Sequence, residues 1–262
     1  MLYDWYKVLY DNADKPFEFD DGVNMKLLAD QKTNTKLGKN TDISTEYNTS
    51  ILYLAPADEA GTGVNMCPAS TPGCRASCLF TSGRGRFESV REARIKKTQM
   101  LVDAPELFLE LLLEDLEYLV RIQNKTQVKQ AVRLNGTSDV LWESIPVVRN
   151  GQEFEGIPQA FPELMFYDYT KVVNRPAVLR PIANYNLTIS AAEYTSDRMI
   201  SLLIDKGFNV SKVFRKELPE TYLGHKVIDG TLHDMRFLDD WGVIVGLVAK
   251  GQARKDTSGF VD

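Results

Sequence analysis

A chain of 262 residues with 44% hydrophobic side chains is long enough to bury one substantial core, and too apolar to be disordered throughout. Its 36 acidic residues outnumber 31 basic ones for a net charge of -5, which excludes a global electrostatic footprint for nucleic acid but leaves room for a local basic patch. No run of eighteen apolar residues occurs and the opening "MLYDWYKVLYDN" lacks a secretory-leader pattern, so the expectation is a cytoplasmic protein without membrane contact.

Residues 1–48 are polar and irregular, and are expected to form an N-terminal extension or lid, with "FEFD" and "MKLLA" as short-strand candidates. Residues 49–262 are expected to form the main domain. The first strong apolar run, "ILYLA" at 51–55, reads as a buried strand that ends at Pro56 and opens into a long loop marked by Gly and Pro. That loop carries "NMCPASTPGCRASC", with all three cysteines of the chain, Cys67, Cys74 and Cys78. A helix is expected over 87–102. A second begins at Pro105 in "PELFLELLLEDLEYLVRIQNK", where proline suits the first turn and leucines recur at helical spacing.

The period then changes. "QAVRLNG" at 130–136, "LMFYDYTK" at 164–171, "YNLTIS" at 185–190, "VSKVFR" at 210–215, "HKVIDG" at 225–230 and "WGVIVGLVAK" at 241–250 read as strands. Between them, "SDRMISLLIDKG" reads as a helix capped by Ser196 and stopped by Gly207. Strand, helix, strand at this spacing predicts parallel units. The expected fold is α/β, a partial or irregular TIM-like (β/α) barrel with about six to seven mainly parallel strands, and the alternative is an open doubly wound sheet.

In parallel β/α folds the carboxyl ends of the strands converge on the functional face. Asn135, Thr137, Ser138 and Asp139 follow the second strand, Lys171 the third, Ser190 and Glu193 the fourth, and these seven are the candidate cofactor-binding residues. In "YDYTK", Asp168 and Thr170 share one strand face and Tyr169 and Lys171 the other, so all four cannot enter one pocket within a regular strand. Asp229, His233 and Asp234 form a further polar concentration, with metal binding as one reading. Lys250, Arg254 and Lys255 are placed to meet an anion or to lie on the surface. No GxSxG, HExxH or GxxxxGK[ST] pattern occurs, which excludes the common hydrolase and ATPase motifs. No catalytic residue is assigned.

An odd number of cysteines cannot pair completely within one chain, and thiols clustered in this way ligate or react. Six residues separate Cys67 from Cys74 and three separate Cys74 from Cys78. Thiolates suit zinc or iron-sulfur clusters. The two histidines, His225 and His233, are distant in sequence, so zinc would need a remote fourth ligand. A 4Fe-4S cluster on three cysteines leaves its fourth iron open to a protein group or a small molecule. After the loop, Arg84, Arg86, Arg91, Arg94, Lys96 and Lys97 are opposed only by Glu88 and Glu92. This 84–97 segment is either a solvated helical face or a surface for nucleic acid or a host protein.

The pieces "CPASTPGCRASC" followed by "GRGR", "RLNGTSD", "MFYDYTK", and "VIDGTLHDMRF" followed by "GVIVGLVAKGQAR" resemble the bacteriophage family known as gene product eighty-eight. A cysteine triad after the first strand of a β/α barrel also resembles, more distantly, the radical S-adenosylmethionine superfamily, whose usual triad has three and then two intervening residues. The resemblances imply a cluster held by Cys67, Cys74 and Cys78, S-adenosylmethionine as candidate second cofactor, and the cytoplasm of an infected host as location. The function expected is an atypical radical enzyme generating a 5'-deoxyadenosyl radical. The alternatives are a non-catalytic iron-sulfur protein that binds nucleic acid or a host protein, and a zinc-stabilised interaction protein.

Overall fold

The computed structural model describes residues 4–12, 26–31, 39, 46–179 and 182–262. Eleven strands are present among them: β1 (Leu28–Asp30), β2 (Tyr47–Leu52), β3 (Lys129–Arg133), β4 (Val147–Arg149), β5 (Gln152–Phe154), β6 (Met165–Thr170), β7 (Tyr185–Ser190), β8 (Val210–Phe214), β9 (Thr221–Tyr222), β10 (His225–Asp229) and β11 (Ile244–Val248). Nine join one sheet in the order β1-β2-β3-β6-β7-β8-β11-β10-β9, and β4 with β5 forms a separate hairpin.

Six of the seven runs expected as strands are β3, β6, β7, β8, β10 and β11; the seventh, "ILYLA" at 51–55, shares only Ile51 and Leu52 with β2, which starts earlier, at Tyr47, and every pairing among these seven strands is parallel. Only the two edges are antiparallel, β1 on β2 and β9 on β10. Among the described residues no pairing joins β1 to β9, so the sheet is not closed into a barrel. The strand order advances in one direction from β2 to β8, whereas a doubly wound sheet reverses direction from a central first strand.

Seven helical segments accompany the strands: α1 (Trp5–Tyr10), α2 (Pro72–Ala76), α3 (Glu88–Asp103), α4 (Pro105–Thr126), α5 (Ile157–Ala160), α6 (Arg175–Leu179) and α7 (Asp197–Asp205). On α4, Phe108, Leu109, Leu112, Leu116 and Leu119 form one buried stripe, and the helix ends where Gln127 turns left-handed at φ 60°. That stripe packs against Leu52, Leu54, Val132, Leu134 and Phe166 in the largest core cluster. Burial of each such side chain contributes about 1.5–3 kcal/mol relative to leaving it exposed. Ser196 caps α7 by accepting from the Met199 N–H, and Gly207 leaves it at φ 81°.

Trp5 and Leu9 of α1 are fully buried in the same cluster, and the 48/49 boundary falls inside β2. "MKLLA" supplies Leu28 and Ala29 of β1, and "FEFD" lies outside the described residues. Among the described residues no helix is long and apolar enough to cross a membrane.

Alternation along the strands positions everything that follows. Because Leu134, Phe166, Ile189 and Val210 face the helices, their neighbours Arg133, Asn135, Tyr167, Tyr169, Lys171, Ser190 and Ser211 turn to the other side of the sheet. Most of these line one large cavity.

Candidate active site and its cysteine loop

The loop after β2 is held by its own polar side chains. Asn65 accepts from the Cys67 N–H at 2.8 Å, and Thr71 caps α2 by accepting from the Cys74 N–H at 3.2 Å, with Pro72 at the first helical position. The Glu193 carboxylate reaches across from the end of β7 to accept from Thr71 Oγ1 at 2.6 Å and from the Gly73 N–H at 2.7 Å. Burial opposes the charge on Glu193, but these hydrogen bonds and the nearby Lys171 hold its pKa below the ordinary carboxylate value. Gly73 has no room for a side chain, since a β-carbon there would meet Ser258 Oγ, sit 2.9 Å from Phe260 Cβ and 3.0 Å from Glu193 Oε1. The segment through Phe260 thus packs directly on the loop, and Cys74 shares a cluster with Ala192, Ala249, Ala253, Phe260 and Val261.

The three thiols line the same cavity, of about 1540 Å³, together with the polar strand ends. Burial pushes Cys67 up to about 12, and the neighbouring Asp139 and the other two thiols add to the rise. Burial also raises Cys74, against the pull of Lys171, and Cys78, against the N–H of Phe80 and the charge of Arg94. Only a positive centre, such as a metal, makes thiolates of such thiols at neutral pH. Among the described residues no three Cys, His, Asp or Glu side chains converge on a position for one metal ion. Tetrahedral zinc, with bonds of about 2.3 Å to sulfur, requires its thiolates nearly in contact.

Six of the seven expected cofactor-binding residues, Asn135, Thr137, Ser138, Asp139, Lys171 and Ser190, line this cavity, and Glu193 does not. Glu193 instead tethers the cysteine loop from behind. Asn135 is fully engaged: its N–H donates to Asp168 Oδ1 at 2.8 Å, its Nδ2 to the Val140 carbonyl at 3.0 Å, and its Oδ1 accepts from Ser138 and the Val140 N–H. Asp139 accepts from Thr170 Oγ1 and the Lys171 N–H through one oxygen, and from Arg175 at 2.7 Å through the other. Thr137 donates to the Leu54 carbonyl, and its own carbonyl lies 3.5 Å from Cys67 Sγ. Lys171 donates to Ser190 Oγ at 2.9 Å and lies 5.1 Å from the centre of the Phe260 ring.

Behind that wall lies a buried network that sequence reasoning did not find. Arg175, fully buried, forks onto Glu143 at 2.9 and 2.8 Å and also reaches Asp139, the Val140 carbonyl and Tyr185. The Tyr185 hydroxyl donates to Asp168 at 2.9 Å. Burial pushes Asp168 up to about 7, against Arg133, Arg175 and its own hydrogen bonds. Asp168 does not line the cavity whereas Tyr169 and Lys171 do, as the alternation predicts; Thr170 also reaches it, at the strand's last position.

The late polar cluster divides rather than converging. Asp229 accepts from the Thr231 N–H and hydroxyl, His233 faces Arg236 at 3.1 Å, and Asp234 pairs with Arg133 at 3.0 Å. The turn after Asp234 seats Phe237 against Tyr47 and Tyr167 on the inner face of the sheet. Lys250 lines the cavity, whereas Arg254 donates to the Ala249 carbonyl and Lys255 is exposed. The basic segment divides too. Arg84, Arg86, Arg94 and Lys97 line the cavity and Arg91 and Lys96 point elsewhere. Lys97 donates to the Leu27 carbonyl at 2.6 Å, and burial pulls it down to about 8.

A family model described as Gene product 88 matches residues 26–262. No curated protein matches the chain, and no solved structure matches it.

Proposed function

The chain belongs to the Gene product 88 family of bacteriophage proteins, and on that premise we propose that it is an iron-sulfur protein acting as an atypical radical S-adenosylmethionine enzyme in the infected host cell. The observation that carries this reading is the placement of Cys67, Cys74 and Cys78 on one cavity at the strand ends. The one-directional strand order is also the order of an incomplete barrel, and we read the sheet that way.

Cys67, Cys74 and Cys78 would hold a 4Fe-4S cluster, which, once reduced by an external electron donor, would supply the electron that splits S-adenosylmethionine into methionine and a 5'-deoxyadenosyl radical. The chain's own residues bind and shelter. Glu193 and Gly73 fix the loop that presents the thiols, while Ser138, Lys171 and Ser190 offer polar contacts to a cofactor beside it. Phe80 and Phe260 add apolar surface to the same space. A cavity of about 1540 Å³ exceeds the roughly 300–1,000 Å³ of a typical small-molecule site, in keeping with cofactor and substrate bound together.

Anaerobic purification with iron, sulfide and zinc quantification, then spectroscopy with and without S-adenosylmethionine, tests the reading. Iron and sulfide with a cofactor-dependent spectral change, lost in Cys67→Ser, Cys74→Ser and Cys78→Ser, are expected. Iron without that response would leave a non-catalytic cluster protein, and stoichiometric zinc would overturn both.

A further inference from the structure

Among the described residues four arginines are more than nine-tenths buried: Arg94, Arg133, Arg175 and Arg236. Arg133 faces Asp234, Arg175 faces Asp139 and Glu143, and Arg236 faces Asp239. Arg94 makes no ion pair among the described residues, and its Nη1 has no hydrogen-bond partner. Its guanidinium lies between two rings, 4.4 Å from the centre of Tyr53 and 5.7 Å from that of Phe80, on the cavity wall. A guanidinium this buried, beside two aromatic rings and the Cys78 thiol but with no carboxylate opposite it, is suited to pair with an anion brought from outside.

We propose that the cavity receives single-stranded nucleic acid, with a phosphate seated on Arg94. Among the described residues, the lining carries nine Lys or Arg against three Asp or Glu, in a chain whose net charge is -5, so the positive sign belongs to the cavity and not to the whole surface. The approach continues that sign through Arg84 and Arg86, both exposed at the mouth. Phe87, next to Arg86 in the chain, is 60% exposed on the same lining, where an unpaired base can stack. Cations along a path with an aromatic platform beside them match a strand whose bases are free, and not a carboxylate metabolite or a paired duplex. This deepens the enzyme reading by naming its substrate class, yet its evidence lies outside the three cysteines.

The test is fluorescence anisotropy of a labelled single-stranded oligonucleotide, DNA and RNA in separate arms, on metal-free and reconstituted protein from about 50 to 200 mM salt. Salt-sensitive binding is expected, weakened at least tenfold by Arg94→Ala and about fivefold or more by Phe87→Ala. Arg91→Ala, on the same helix but off the cavity, is expected to change affinity less than twofold. Arg86→Ala, an exposed change that leaves the fold alone, should lower the salt slope by about one. Absence of binding, or binding indifferent to Arg94 and Arg86, overturns the proposal. Iron content, read separately, reports on the cluster, so either reading can fail without the other.

Discussion

The two walls of the cavity are built from the same kinds of residue and differ in what those residues have left to offer. On the β3–β6–β7 side, Asn135, Asp139, Asp168, Arg175 and Tyr185 bond one another, and each carboxylate is matched by donors. On the loop and α3 side, three thiols and Arg94 face the same space, and among the described residues Arg94 has no carboxylate opposite it. A satisfied buried network makes a rigid frame, whereas a buried guanidinium with no carboxylate opposite it is a place for a ligand. The candidate chemistry therefore lies on the less satisfied wall, although both walls look equally polar in sequence.

Replacing Arg175 with Met would break the frame most severely, because it leaves Asp139 and Glu143 buried without their cation. A loss of about 3–5 kcal/mol in urea denaturation is expected. Next is Gly73→Ala, which forces a methyl group against Ser258 and Phe260 and should cost about 1–3 kcal/mol and speed alkylation of Cys74 in metal-free protein. Glu193→Gln weakens the tether by about 1 kcal/mol at neutral pH. Its folded-state pKa is lowered, so the carboxylate's contribution is present above the unfolded value and fades as pH falls through the folded one. The gap in urea midpoint between wild type and this variant should thus close as the solution is acidified below about pH 4. Smallest is Arg94→Met, expected to shift stability by less than about 1 kcal/mol in either direction, because it removes a cation that no carboxylate matches. If Arg94→Met cost as much as Arg175→Met, the contrast between the walls would collapse.

The parallel body was legible because buried parallel strands must be apolar or alternating in sequence, as "ILYLA" and "WGVIVGLVAK" are. The long helices were legible for their leucine spacing and their boundaries at Pro105 and Ser196. The β4–β5 hairpin had a local signal too. Asn150 and Gly151 occupy its turn at φ 52° and 77°, the Asn-Gly pair that such turns favour. The edge strands β1 and β9, of three and two residues, are too short to show a period. Arg175 had no signal at all, since its partners Asp139 and Glu143 lie 36 and 32 residues away. Six cations in 84–97 looked alike; Arg84 and Arg86 precede α3, and among the four on it only angular position, with Arg94, Thr98, Leu101 and Val102 on the buried side, sets Arg94 apart. Glu193 was found at the right strand end, but its partner is backbone and hydroxyl of the loop.

The packing of Ser258 and Phe260 on Gly73 sets an order of events during synthesis. The cysteines emerge early, but the surface that orders their loop comes from residues translated long afterwards, paired through Val261 to β8. A nascent chain therefore carries Cys74 without this cover until that late segment docks, and the interval is when oxidation of that thiol competes with assembly of the site.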